Sequence, residues 1–448
     1  MRQSSAFRRT QAAMLGGLVG GLCLQLGATA AMASGFSIPE ASALGTAMSN
    51  AVVANPEEKG AFAYNPAAMG FHDRTSVSLG ALFIGPSFSV DTATGHHDGA
   101  GADWVTAPLF QAAIRVHDRW RIGLGISAPF GLETRWETGT FPKLSGAAPV
   151  TVAPGVTLPL PFGAHPTNSK LETVALVPTL VYKVNEDLSV AAGLDYYKTN
   201  SARLDSQLTG MSGDGDGWGW NASVLYRRGA WSFGAVYHSS STSKLTGHYK
   251  PLNSTLAFLG TIKPGSGLPV AQAAKLDLNL PWRLQLGARY AFTDRLAVEF
   301  DWTRIGWSEF DRIEIKSRAT GRTLFSEVNA WEDTNAYRLG LTYDVLPGTQ
   351  LRCGYAFDET GQKKDHYSAR VPDNDRHLFS FGVGQDLGQG WALDVGYMYV
   401  KFKDRHYRSS NTYTPVADLG KEINGTDAIN GNYEGNAHLF ALELSKTF

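Results

Sequence analysis

From about residue 74 to the carboxyl terminus, apolar and polar residues alternate with the two-residue period of a strand that meets a different environment on each face. Leu296, Val298, Phe300 and Trp302 share one face, and Ala297, Glu299, Asp301 and Thr303 the other. Trp391, Leu393, Val395, Tyr397 and Tyr399 alternate in the same way with Ala392, Asp394, Gly396 and Met398. Trp282, Leu284, Leu286 and Tyr290 alternate with Arg283, Gln285 and Arg289. Fourteen such segments are predicted, at about 75–85, 107–117, 119–134, 170–184, 188–205, 216–228, 231–246, 275–291, 296–318, 322–345, 349–360, 376–387, 391–408 and 435–448.

The spacing of these segments carries more than their number. Every second connection is a tight turn: His117-Asp118, Asn185-Glu186-Asp187, Arg228-Gly229, Thr293-Asp294, Leu346-Pro347-Gly348 and Gly388-Gln389-Gly390. Most of the others are long, as at 135–169, 247–274 and 409–434. An even strand number with short and long loops in alternation is the layout of an all-β, antiparallel transmembrane barrel, whose tight turns face the periplasm and whose long loops face outward. A closed barrel also satisfies every backbone donor and acceptor inside lipid where no helix is available. Phe440, Leu442 and Leu444 continue the apolar face of the last strand to a terminal aromatic, Phe448, the residue expected to address the chain to the barrel-assembly machinery.

The first thirty-three residues read as an export signal: Arg2, Arg8 and Arg9, an apolar run from Met14 to Leu26, and small residues ending in Ala31-Met32-Ala33. That run is short and Gln25 interrupts it, whereas a spanning helix needs ~20 largely apolar residues. Leu22 before Cys23 is not the small residue that precedes a lipidated cysteine, so Cys353 stands alone in the exported chain and no disulfide framework is expected. Forty Lys and Arg against 41 Asp and Glu give a formal charge of −1, which points to no nucleic-acid partner.

Residues 34–74 break the strand pattern and are rich in Ala, Gly, Asn and Pro. They read as a compact segment inside the lumen, ahead of a barrel over 75–448; the competing reading is a loose periplasmic tail. Here Gly35-Phe36-Ser37-Ile38-Pro39-Glu40, Leu44-Gly45-Thr46-Ala47 and Tyr64-Asn65-Pro66-Ala67-Ala68-Met69 resemble the hatch of the FadL family of outer-membrane hydrophobic-compound transporters. Gly217-Trp218-Gly219-Trp220-Asn221, Leu280-Pro281-Trp282, Trp307-Ser308-Glu309-Phe310, Tyr337-Arg338-Leu339-Gly340 and Pro372-Asp373-Asn374-Asp375-Arg376 extend the resemblance over the whole mature chain. It implies a fourteen-stranded barrel in the outer membrane of a Gram-negative bacterium, plugged by the hatch (34–74). It also implies a kink in the third strand, here Ala128-Pro129-Phe130-Gly131, that opens a side exit into the bilayer.

The residues support that kink independently, since Pro129 has no ladder donor and Gly131 tolerates unusual backbone angles; the plain alternative is a strand ending at the rim. Two outward loops are unusually apolar and suited to capture, one through Val150, Val152, Leu158, Leu160 and Phe162, the other through Leu256, Phe258 and Leu259, although they would also serve as a simple lid. The resemblance implies a pocket beside Phe36 and Ile38, with Asn65, Pro66 and Ala67 in the hatch, and passive release past Gly131. In the fifth strand the family's fatty-acid members carry an arginine where this chain has Asn200, leaving Lys198 and Arg203 as carboxylate partners and keeping aromatic hydrocarbons open as cargo. The expected partners are therefore fatty acids or similar hydrophobic molecules, together with outer-membrane lipid and lipopolysaccharide.

No cofactor, catalytic residue or metal is expected. His96-His97-Asp98 lacks the separated ligands of a closed metal site. Gly213-Asp214-Gly215-Asp216-Gly217 reads as a hairpin turn. An outer-membrane hydrolase is the competing class, because His238-Ser239 and His377 with Ser380 supply the residue types, but no Gly-x-Ser-x-Gly elbow accompanies them. A structural or adhesive barrel is the third reading.

Overall fold

The computed structural model describes residues 35–57, 61–100, 104–161, 164–262, 269–413 and 423–448; the expected export signal lies outside them. Fourteen antiparallel strands close into a barrel. They are β1 (Ser76–Thr92), β2 (Val105–Arg115), β3 (Trp120–Thr134), β4 (Pro166–Lys183), β5 (Leu188–Ser206), β6 (Thr209–Arg228) and β7 (Trp231–His238 with Ser241–Pro251). The other seven are β8 (Gln272–Leu280 with Arg283–Ala291), β9 (Leu296–Ile305 with Arg312–Ser317), β10 (Thr323–Val328 with Thr334–Leu346), β11 (Thr349–Asp358), β12 (Arg376–Gly388), β13 (Trp391–Phe402) and β14 (Gly431–Thr447). Closure is made by β1 on β14, in register from Ser76↔Thr447 to Asp91↔Asn432, so no edge is left on the ring.

The two-residue period has the polarity of a membrane barrel, with the apolar face outside. In β9, Glu299 and Asp301 are 0% exposed while Phe300 between them is 49% exposed. Leu79, Leu194, Trp218, Phe233, Phe381 and Leu442 project outward in the same way. No helix among the described residues is long and apolar enough to cross a membrane.

The run from Gly213 to Gly217 is not a turn. It lies within β6, and the chain reverses before it, at Gln207-Leu208 between β5 and β6. A Cβ on Gly213 would sit 2.5 Å from the Thr246 carbonyl oxygen and one on Gly215 2.2 Å from that of Lys244, so the glycines answer the close approach of β7.

Inside the ring lies the amino-terminal segment. Its short helix α1 (Ala43–Ala47) is capped by the Ser42 hydroxyl, which accepts from Gly45 N at 2.8 Å. The Asn-Pro-Ala triplet has an equally local explanation: Asn65 caps the 3-10 turn Pro66–Phe71 by accepting from Ala67 N, and Pro66 fills the first helical position, where no N–H is needed. Inward-facing glycines make its seat. A Cβ on Gly234 (β7) would lie 2.1 Å from Val53 O, one on Gly354 (β11) 2.2 Å from the Met48 carbonyl carbon, and one on Gly396 (β13) 2.4 Å from Ala43 O. Acidic side chains of the wall then hold backbone donors of the segment: Val53 N donates to Asp301 Oδ2 at 2.9 Å, Ala54 N to Glu299 Oε1 at 2.5 Å and Ala43 N to Glu443 Oε2 at 3.0 Å.

Candidate functional site

The wall is interrupted at one place next to this segment. The ladder between β2 and β3 runs from Arg115↔Arg121 to Phe110↔Ile126 and stops, leaving Val105–Leu109 without partners on β3. On its other edge β3 skips Ala128 and Pro129 and resumes at Phe130↔Thr173 of β4. The freed edge of β3 turns to the amino-terminal segment: Ile38 N donates to Pro129 O at 2.7 Å, Gly131 N donates to Phe36 O at 2.8 Å, and Ser37 pairs with Phe130. Pairing therefore ends on the β2 side, while the β4 side is only irregular at Ala128 and Pro129 and then resumes. Gly131 lies in regular strand and takes no positive φ, so the break owes nothing to an unusual glycine conformation. A bridge between Ala100 and Arg135 bounds the gap above, and the buried apolar residues Ala107, Leu109, Ala128, Phe130 and Leu132 fill it.

Beside the gap is a narrow apolar cavity. Phe36 forms one wall, with Leu132, Leu171, Leu204, Leu245, Leu276, Leu278, Phe310 and Ile313 around it. Phe36 is locked edge-on against Trp307 at 4.8 Å and Phe310 at 5.0 Å, and its ring lies 6.0 Å from Phe130. One end of the cavity is polar. There Arg370 Nε meets Glu327 Oε2 at 3.1 Å, both buried, and its Nη1 donates to Asp205 O at 2.8 Å and Ser169 Oγ at 3.3 Å. Lys170 is held by Glu172 at 2.8 Å. On the tight-turn side of the segment lies a second space with a different character, lined by Arg289, Asp344, Arg352, Asp386, Asp394 and Glu443.

The expected site residues are distributed unevenly over this geometry. Phe36 lines the cavity, and Phe130 and Gly131 border the gap with Pro129. Ile38 is buried but not part of the cavity lining; its N–H serves the β3 edge. Asn65, Pro66 and Ala67 sit lower, where Asn65 Nδ2 donates to Val53 O at 2.7 Å and Val224 O at 3.1 Å. Lys198 and Arg203 do not reach the cavity: Lys198 pairs with Asp214 and Arg203 with Asp205.

Of the capture segments, Val152, Leu158 and Leu160 lie on a projecting hairpin, Ala147–Ala153 with Val156–Pro161, while Phe162 lies outside the described residues. The second segment is not a loop but a helix, α2 of the long connections (Ser254–Ile262). Its turn periodicity sends Leu256 and Leu259 inward and leaves Phe258 63% exposed, so Phe258 alone of the three faces solvent. The cations of the cavity, Arg370 and Lys170, were not singled out from the sequence. Arg370 stands two residues before the Pro372-Asp373-Asn374-Asp375-Arg376 run, which drew notice as a motif rather than as a source of charge.

The chain matches the family described as "Outer membrane protein transport protein (OMPP1/FadL/TodX)" over residues 24–448. It is 27% identical to the long-chain fatty acid transport protein of Escherichia coli O6:H1, over 94% of this chain and 96% of that protein. A Pseudomonas aeruginosa FadL homologue shares the fold with a TM-score of 0.74 at 21% identity, over 92% of this chain and 100% of that one. The Ralstonia pickettii toluene transporter TbuX shares it with a TM-score of 0.65 at 17% identity, over 93% and 99%. With the ring, the interrupted ladder and these likenesses together, the chain belongs to the OMPP1/FadL/TodX family of outer-membrane transport proteins, and its β-barrel resides in the outer membrane.

Proposed function

We propose that this protein carries long-chain fatty acids or similar hydrophobic molecules across the outer membrane passively, with residues 34–74 acting as a hatch. Cargo is captured at the outward apolar segments, settles in the cavity beside Phe36 and leaves sideways between β2 and β3. The observation that supports this most directly is the exchange of ladder partners at Phe36–Ile38 and Pro129–Gly131, where the hatch closes a gap in the wall next to the apolar cavity.

Energetics favour a sideways path over an axial one. Burying apolar area is worth roughly 25 cal/mol per Å2, so a long acyl chain gains several kcal/mol in the cavity and loses it again in the charged space on the tight-turn side. Lateral release keeps the chain in an apolar phase throughout. Among the described residues nothing supplies energy, and on this reading flux follows the concentration gradient. A second reading, aromatic hydrocarbons as cargo, is favoured by the charge balance of the cavity, where Arg370 and Lys170 each already meet a carboxylate.

Ser37 and Phe130 face each other as a pair flanked by hydrogen bonds rather than joined by them, which brings Cα atoms to about 4.5 Å, within reach of a disulfide. In a background with Cys353 replaced, Ser37→Cys with Phe130→Cys is expected to lose most transport of labelled oleic acid on oxidation and to recover it on reduction. Equal transport by the oxidised and reduced forms would sink the side-exit reading.

A further inference from the structure

We infer that a belt of polar side chains below the kink, centred on His238 and Arg283, is a binding station for a carboxylic acid head group. This rests on the fatty-acid reading of the cargo and adds a second stop to it, separate from the apolar cavity.

The belt runs at one height across β5 to β8. His238 pairs directly with Asn221 on one neighbouring strand and with Arg283 on the other. Asp195 Oδ2 lies 2.9 Å from His238 Nδ1, and Asp195 Oδ1 accepts from Asn221 Nδ2 at 2.8 Å, so both carboxylate oxygens are engaged. Asp195 fixes the tautomer: in the neutral ring the proton sits on Nδ1, and Nε2 is left as an acceptor. That Nε2 is buried and has no partner. Opposite it, Arg283 uses Nη2 on Ala63 O at 3.3 Å and leaves a buried, unpartnered Nε–H donor. The neighbouring Asn221 Oδ1 and Ser241 Oγ are likewise buried and unpartnered. Buried polar atoms are rarely left unpaired, and the free atoms of His238, Arg283, Asn221 and Ser241 in this belt can be completed by a further hydrogen-bonding group.

An acceptor and a cationic donor on directly paired residues complement a carboxylic acid. Its O–H donates to His238 Nε2 while its carbonyl oxygen accepts from Arg283 Nε. Should the proton cross to Nε2, a carboxylate lies between imidazolium and guanidinium with Asp195 behind, and the total charge of the group is unchanged. Hydrocarbon without a head group gains nothing from this belt.

Its position suits a cargo on the way out. Tyr197 stands two residues along β5 from Asp195 on the same face, about 7 Å away, and its ring is 5.8 Å from Phe130 at the kink. Phe130 in turn touches Phe36 of the cavity wall. A head group on the belt leaves its chain running past Tyr197 toward the gap.

The test uses full-length protein in lipid nanodiscs with [1-13C]oleic acid, and uptake of oleic acid against hexadecane by cells producing it. A carboxyl resonance from bound acid is expected in the wild type, lost in His238→Leu and kept in His406→Leu, an exposed histidine outside both the cavity and the belt. His238→Leu should slow oleic acid uptake by about ten-fold, the scale of a charge-assisted hydrogen bond, with hexadecane uptake unchanged, and His238→Gln should restore part of the loss. An unchanged resonance in His238→Leu, or an equal fall for both cargoes, overturns the station. If the wild type moves neither cargo yet binds the acid through His238, the transport reading fails and the station stands.

Discussion

Gly131 donates its backbone N–H to the carbonyl of Phe36 at 2.8 Å, a bond that in an unbroken wall would go to β2. The N–H and C=O of a strand residue point to the same edge, so this bond lies on the side of β3 that has lost its neighbour, while β4 is served by the other residues of the ladder. The amino-terminal segment is held here by main-chain hydrogen bonds that local movement can make and break.

Gly131→Pro removes that donor and leaves the β4 ladder in place. The hatch should loosen at its amino-terminal end while the barrel stays folded. Limited proteolysis is expected to show new cleavage near residues 35–39; an unaltered digestion pattern would show that the bond does not hold the segment.

Gly354→Val places side-chain atoms where Met48 backbone now lies. Overpacking of this kind costs about 1–3 kcal/mol or more, and a hatch is displaced more easily than a strand. The ionic conductance of the barrel in planar bilayers should rise several-fold, and conductance equal to that of the wild type would place the hatch elsewhere.

Arg370→Met leaves Glu327 buried without its cation, which costs roughly 3–5 kcal/mol, whereas the double change with Glu327→Leu should recover most of it. Thermal unfolding of the single and double variants checks this. Additive destabilisation in the double variant would contradict the pairing.

Phe258→Asp alters the exposed face of α2 and Leu256→Asp its buried face. The first should lower uptake from dilute substrate several-fold without changing the melting temperature; the second should lower the melting temperature as well. Identical behaviour of the two would remove the distinction between the faces.

His165 lies outside the strands, fully buried beside Phe141. Burial first, and the Arg370 guanidinium second, press its pKa down to about 4. The unfolded chain takes up a proton near pH 6.5 and the folded one near 4, so stability is full above 6.5 and falls as pH drops toward 4, by on the order of 3 kcal/mol. Unfolding at pH 7 and 4.5 should show this loss, and His165→Phe should remove it; an equal pH dependence in the variant would assign the loss to other groups.

The alternation of residues along the chain determined the ring by itself. Each of the fourteen expected segments overlaps a strand, and the inverted polarity of Glu299 and Phe300 follows from the period of two, because a strand has only two faces to offer. The Asn65-Pro66-Ala67 triplet was legible only as a family resemblance, although the cap it makes is a contact between near neighbours. Tertiary structure decided what depends on distant parts meeting. Arg370 reaches the cavity through a long connection, Lys198 and Arg203 are claimed by Asp214 and Asp205, and the edge of β3 left free on the β2 side is met by Phe36–Ile38, far upstream in the chain. A local pattern fixes which way a side chain faces, but its partner is chosen by the closure of the whole barrel around the amino-terminal segment.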